Sequence, residues 1–169
     1  MRSARFGPAR RQGASSPRAF AFIALASFGA IAAALVSQHA FAMEPCAWCT
    51  LQRLIFLAIG VFALLGLVWR SAAGSRVAAT FDLLLALAGV ASALWQHLVA
   101  SKSASCNLTL ADRIVSATQL DRLLPSVFEA RASCADAAVS LFGVSYALWA
   151  ALLFAICAIV LMRILRVSA

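Results

Sequence analysis

Four long stretches of the chain are nearly free of charge, and the charged residues collect between them. The stretches run from Phe20 to Phe41, Leu51 to Trp69, Val77 to Val99 and Val144 to Leu165. Each reaches the roughly 20 residues that a helix needs to cross a bilayer. Alanine and leucine dominate them, and the short alternating segments of a membrane barrel are missing. The pattern predicts an all-α membrane protein, a bundle of four transmembrane helices forming one domain over residues 1–169. Two loops then fall on the same side: a very short one near residues 42–46 and a long one over residues 100–142.

The long loop has a pattern of its own. In LTLADRIVSATQLDRLLPSVFEA, apolar and charged residues alternate at roughly helical spacing. Ile114, Val115, Leu120, Leu123, Leu124, Val127 and Phe128 can share one face, with Asp112, Asp121 and Arg122 on the other. Such an amphipathic helix either lies on the bilayer or packs as a surface helix. Pro125 is expected to break or bend it.

Composition agrees with lipid as the solvent, since 64% of the chain is apolar and only 12% charged. Soluble chains run nearer half apolar. The net charge of +8 is distributed unevenly. The arm over residues 1–18 holds Arg2, Arg5, Arg10, Arg11 and Arg18 with no acid, and is expected to be mobile. Arg70 and Arg76 flank the link between the second and third runs, and Arg163 and Arg166 sit at the end of the fourth. In the long loop, Lys102, Arg113, Arg122 and Arg131 balance Asp112, Asp121, Glu129 and Asp136. The positive-inside rule puts both termini in the cytoplasm and both loops outside. The basic residues are thereby accounted for as a topology signal, and no nucleic-acid partner is expected. The sequence AFA at Ala40–Ala42 has the look of a signal-peptide cleavage site. The apolar run before it is longer than the usual 7–15 or so residues, which favours a retained helix.

Of the five cysteines, Cys46, Cys49, Cys106 and Cys134 fall on the outer side, and Cys157 lies inside the fourth run, where it reads as a small packing residue. Four cysteines on an oxidising side suggest disulfides, one pair per loop. Cys46 and Cys49 have the Cys-x-x-Cys spacing, which is more often redox-active than structural. The second pair on its own reads as a staple. Pro45 suits a helix start, so Cys46 and Cys49 are expected in the first turn of the second helix, where the helix dipole is positive. Arg53 follows one turn deeper on the same face as Cys49. A helix N-terminus and a guanidinium both favour thiolate over thiol, the form that disulfide exchange needs. Arg53 could equally snorkel to the interface. His39 and His97, near helix ends, are either interfacial polar residues or cofactor contacts. Trp48 and Trp95 fit an interfacial aromatic belt.

Together these residues make the chain similar to the DsbB family of disulfide bond formation proteins, over about Phe20 to Leu165. QHAFAMEPCAWCTLQR resembles that family's first outer segment, with its Gln-His, its Pro-Cys-x-x-Cys and an arginine four positions after the second cysteine. RLLPSVFEARASCADAAVSLFGVS resembles the segment around its last cysteine. The stretch from His97 to Cys106 looks short for the family, and the arginine-rich arm looks long. The resemblance implies a multi-pass protein of the bacterial inner membrane, with disulfides Cys46–Cys49 and Cys106–Cys134. It implies that a periplasmic thioredoxin-like oxidase of the DsbA type is captured at Cys106, that Cys134 then attacks Cys46, and that Cys49 faces a bound quinone beside Arg53. Either ubiquinone or menaquinone would serve.

Three other readings remain at this stage. Four thiolates could form a zinc site, although only one pair has ligand spacing and no metal is expected. Two purely structural disulfides would make the protein a non-enzyme. A paralogue serving one dedicated oxidase would keep the chemistry and change the partner.

Overall fold

Each apolar run becomes a helix, but helix ends follow capping rather than hydropathy. The computed structural model describes residues 15–69, 71–102 and 109–168. Its long helices are α1 (Ser15–Phe41), α2 (Ala47–Val68), α3 (Ala72–Leu98) and α7 (Tyr146–Ser168). The first three begin upstream of their apolar runs. A first turn needs partners for its free N–H groups, not hydrophobicity. For α3 that partner is Ser71, whose Oγ accepts from the Gly74 N–H at 3.1 Å. All four helices are long and apolar enough to cross a membrane. Most of the N-terminal arm lies outside the described residues, as does Cys106.

Helix α2 packs between α1 and α3, α3 lies along α7, and α7 closes against α1. Phe20 and Ile23 of α1, Ile59 of α2, and Phe154 and Leu161 of α7 are fully buried between them. Leu25, Val68, Leu84 and Leu152 point outward, as a lipid-facing surface requires. Lipid tails are as apolar as leucine, so helices in a bilayer associate through close fit. Gly89 shows this: a Cβ there would sit 2.5 Å from the Phe154 ring. Phe154 in turn stacks on Phe56 of α2, with centroids 3.9 Å apart and planes 7° from parallel. One glycine therefore lets a single ring join three helices.

The buried face of α3 runs through Ala78, Asp82, Ala86, Gly89, Ala93 and Gln96, steps of four and three that follow one helix face. Asp82 is an unexpected member. It is fully buried, and neither carboxylate oxygen has a hydrogen-bond partner among the described residues.

The long loop folds into three short helices, α4 (Leu110–Ala117), α5 (Leu120–Leu123) and α6 (Pro125–Phe128). A capping box starts α4: Thr109 Oγ1 accepts from the Asp112 N–H, and Asp112 Oδ2 accepts from the Thr109 N–H at 2.8 Å. The break foreseen at Pro125 is present, with Leu124 at φ −133° and Pro125 opening α6. The apolar residues expected on one face divide into two groups. Ala111, Val115 and Phe128 are buried in the core, with Leu120 and Val127 packed beside them. Leu110, Ile114, Leu123 and Leu124 stay exposed. Contact with α2 claims the first group and leaves only the second for lipid.

Ahead of α7 comes an element the all-α expectation lacked. Strands β1 (Ser140–Leu141) and β2 (Val144–Ser145) pair antiparallel across Phe142 and Gly143. Both turn residues have positive φ, 55° and 78°, as a two-residue mirror-type turn requires. Trp149 Nε1 of α7 donates to the Leu141 carbonyl at 3.2 Å and holds the hairpin to the bundle.

Candidate functional site

Between α1 and α2 the chain has five residues in which to reverse. Ala42 adopts the left-handed conformation at φ 53°, and Pro45 precedes an extended Cys46. Cys46 is therefore the residue that caps α2, with its carbonyl accepting from the Thr50 N–H at 3.0 Å, and lies just ahead of the first turn where it was expected. The Pro45 carbonyl is the cause, because it accepts from the Arg131 and Ala132 N–H groups of the long loop at 2.9 and 3.3 Å. That holds Pro45 outside the helix and delays the start. Cys49 lies in the first turn, half-buried, its sulfur 3.2 Å from that of Cys46, in contact and unbonded.

The same tie at Pro45 brings in a third cysteine. Cys134 packs with Cys46 and Ala100 in a small buried cluster, flanked by Trp48 and Cys49. Contact with Cys46 holds the Cys134 thiol below its ordinary range, against the opposing effect of burial. That same contact, then the one with Cys49 and burial, pushes Cys46 up. A nucleophilic sulfur thus rests against Cys46, which itself belongs to a second pair. Cys106 lies outside the described residues, so its distance from Cys134 is not part of this geometry.

Arg53 does not snorkel. It is only 6% exposed and turns into the bundle. One terminal nitrogen donates to Gln38 Oε1 of α1 and to the Val127 carbonyl of α6, both at 2.8 Å. The other donates to the Ala34 carbonyl at 3.4 Å. Gln38 in turn donates to the Ser126 carbonyl at 3.3 Å. A membrane arginine and a membrane glutamine together fasten the loop that carries Cys134.

Beside them lies a cavity of about 310 Å³. Ala30, Ala33 and Ala34 of α1 form one wall, and Phe56 of α2 and Leu153 of α7 another. Cys49, Gln52, Arg53 and Gln96 line it on the α2–α3 side, and Ser37, Glu44 and Tyr146 are further polar residues of its lining. His39 is exposed on α1, His97 is partly buried in the last turn of α3, and neither lines the cavity. Trp48 and Trp95 lie against one another with ring centroids 6.4 Å apart.

Three glutamines stand where sequence reasoning looked to the histidines. Gln38 and Gln52 are buried, and so is Gln96, whose amide reaches the Cys49 sulfur at 3.1 Å. A signal was available: an amide inside an apolar run faces the bundle, where it can find partners.

The chain matches the family model for the disulfide bond formation protein DsbB over residues 16–164. It is 34% identical over 149 residues to the disulfide bond formation protein B of Ralstonia nicotianae, covering 88% of this chain and 92% of that protein. The namesakes from Cupriavidus metallidurans and Herminiimonas arsenicoxydans are 31% and 32% identical, over 80% and 88% of this chain and 84% and 94% of those proteins.

Proposed function

Since the chain belongs to the DsbB family of disulfide bond formation proteins, we propose that it reoxidises a thioredoxin-like dithiol oxidase of the DsbA type and delivers the electrons to a membrane quinone. It is a multi-pass protein of the bacterial inner membrane, with four spanning helices. The arginine distribution argues for cytoplasmic termini and periplasmic loops.

The partner's thiolate attacks a Cys106–Cys134 disulfide at Cys106, forming a mixed disulfide and releasing Cys134 as a thiolate. Cys134 attacks Cys46 of a Cys46–Cys49 disulfide, and Cys49 leaves with the charge. The partner's second thiol then displaces Cys106 and departs oxidised. Cys106 attacks Cys134, which restores the loop disulfide and leaves Cys46 and Cys49 as a dithiol. That dithiol carries the two electrons and two protons that a quinone would accept to become a quinol, and Cys49 and Arg53 line the cavity that would hold it. Across the cycle one partner dithiol loses what one quinone gains. The packing of Cys134 directly against Cys46 supports the order of attack.

The observation that carries this reading is that Cys49 and Arg53 line one apolar cavity inside a lipid-facing bundle. Its volume is at the lower end of the 300–1,000 Å³ or so typical of small-molecule sites. A flat ring with polar oxygens at opposite edges fits the lining, with alanines and Phe56 for its faces and the N–H groups of Arg53 and the glutamines for its oxygens. The test is anaerobic: purified full chain, reduced DsbA-type oxidase and a soluble quinone, followed by quinone absorbance. Loss of absorbance that requires both protein and reduced partner is expected. An unchanged spectrum would reject the reading.

A further inference from the structure

Two of the buried glutamines touch each other as well as the cysteine pair. Gln52 Nε2 donates to Gln96 Oε1 at 2.6 Å. Gln96 Nε2 donates to the Cys49 sulfur at 3.1 Å and, more weakly, to Cys46 at 3.6 Å. Both side chains are almost sealed, 6% and 5% exposed. Resting on the reading of Cys46–Cys49 as the quinone-facing pair, we propose that Gln52 and Gln96 form a two-amide relay. It holds an N–H against the Cys49 sulfur and so favours the reduced form of the pair.

The relay works because an amide has a donor end and an acceptor end that differ only by rotation. Left alone, Gln96 could present either end to the sulfur, and its oxygen would repel a thiolate. Gln52 removes that freedom by claiming the oxygen. Gln52 can do so because it follows Cys49 by three residues, one helical turn along the same face of α2. Gln96 meets both from the buried face of α3. The third polar side chain nearby does not interfere, since the Thr50 hydroxyl donates back to the Ala47 carbonyl at 2.8 Å.

Disulfide sulfur is a poor acceptor and thiolate a good one. The N–H of Gln96 therefore stabilises the reduced pair more than the oxidised pair. An amide does not titrate in this range, so the relay fixes charge and moves no proton. The guanidinium of Arg53 acts differently: among the described residues its hydrogen bonds run to Gln38, Val127 and Ala34, and none reaches a sulfur. Gln96 is thus the side-chain N–H in direct contact with Cys49, with Gln52 as its positioning residue.

The test isolates the pair in the full chain by replacing Cys106 and Cys134 with serine and Cys157 with alanine. The protein is equilibrated in lipid nanodiscs against glutathione redox buffers, and the reduced fraction is read by alkylation and mass. Gln96→Leu removes a hydrogen bond to a charged sulfur, so about tenfold stronger reducing conditions are expected at the midpoint. Gln52→Leu should shift the midpoint the same way by about threefold, because it frees the amide to rotate without removing it. The rate at which Cys49 of the reduced pair alkylates at pH 7 should fall in the same order. A Gln96→Leu midpoint within about twofold of the parent overturns the relay. If that variant does not fold, an unshifted Gln52→Leu midpoint overturns it instead. Shifted midpoints together with a wild-type chain that reduces no quinone in the anaerobic assay would sink the quinone reading and leave the relay standing.

Discussion

The two ends of the bundle's polar interior are built on opposite terms. At the cysteine end, Gln38, Gln52, Arg53 and Gln96 are all buried, and each has hydrogen-bond partners. Deeper in, Asp82 and Ser27 are also buried, and their side-chain oxygens have no partner among the described residues. Cys157 is fully buried as well, and among the described residues it lies outside the cluster that holds Cys46, Cys49 and Cys134. Polar groups inside a membrane protein are expensive in either place. Where the cost is offset by a connected network, the network converges on a cavity and a sulfur. Where it is not offset, nothing converges. Burial of a polar residue alone therefore does not mark a site in this bundle; its connections do.

The sharpest way to break that contrast is through the cysteines themselves. Cys49→Ser should abolish quinone reduction, a loss of more than about a thousandfold, because no sulfur then faces the cavity. Cys157→Ala should leave turnover within about twofold of wild type, at a small cost in packing. The quinone absorbance assay measures both. Equal damage from the two substitutions would erase the distinction between the connected and unconnected ends.

Arg53 tests the network at its anchoring point. Arg53→Gln deletes a charge and the bond to the Val127 carbonyl, and should raise the quinone KM about ten- to a hundredfold. Arg53→Lys keeps the charge but loses the planar fork that reaches Gln38, Val127 and Ala34, so it should fall between. The structure adds a second readout. With the tie to Val127 gone, backbone amides of α6 should exchange faster in the Gln variant. Wild-type exchange together with a raised KM would mean that the arginine serves the cavity alone.

Protonation separates Cys134 from Cys46 more gently. Free thiols titrate near pH 8.5 or so. In the fully reduced protein, alkylation of Cys134 should set in below that range and alkylation of Cys46 only above it. A depressed thiol pKa contributes stability that is present above the ordinary value and lost as pH falls through the lowered one. A raised pKa does the reverse, so the reduced contact should be firmest between the two. Cys46→Ala removes that contact and should return Cys134 towards an ordinary profile, slowing its alkylation at pH 7 by several-fold. A profile unchanged by Cys46→Ala would place the cause elsewhere.

Much of this contrast could be read along the chain, and the remainder depends on which helices meet. Four apolar runs and a Cys-x-x-Cys at the mouth of one of them are local facts, and they survive folding. The fate of Arg53 is not local. Snorkelling and burial were equally open from its position, and the choice falls to Gln38, fifteen residues earlier on a different helix. The hydrogen bond that the Arg131 N–H donates to the Pro45 carbonyl is longer in range still, and it is what moves Cys46 out of the first turn. His39 and His97 drew notice because histidine is chemically versatile, yet their neighbours Gln38 and Gln96 point inward and make the contacts. Register on the helix decided between residues one position apart. Asp82 was legible in principle, as the sole acid within the four apolar runs.

Asp82 also offers the smallest and most discriminating test. If its end of the bundle is unconnected, removing the carboxyl should stabilise the protein and leave the chemistry alone. Burying a polar group without partners costs about 1–3 kcal/mol, and its neighbours Ala78, Ala79 and Ala86 are small enough that alanine fits their pattern. The cavity left by Asp82→Ala works against that gain, so a net increase of about 1 kcal/mol is expected. Asp82→Asn keeps the shape and the orphaned polarity, and should change stability by less than about 0.5 kcal/mol. Thermal unfolding of the three proteins in one detergent gives the order, and the quinone assay should give equal turnover for all three. Destabilisation by both substitutions would mean that the carboxyl has a partner after all. Lost turnover at unchanged stability would connect Asp82 to the site, and the two ends of the bundle would then be one system.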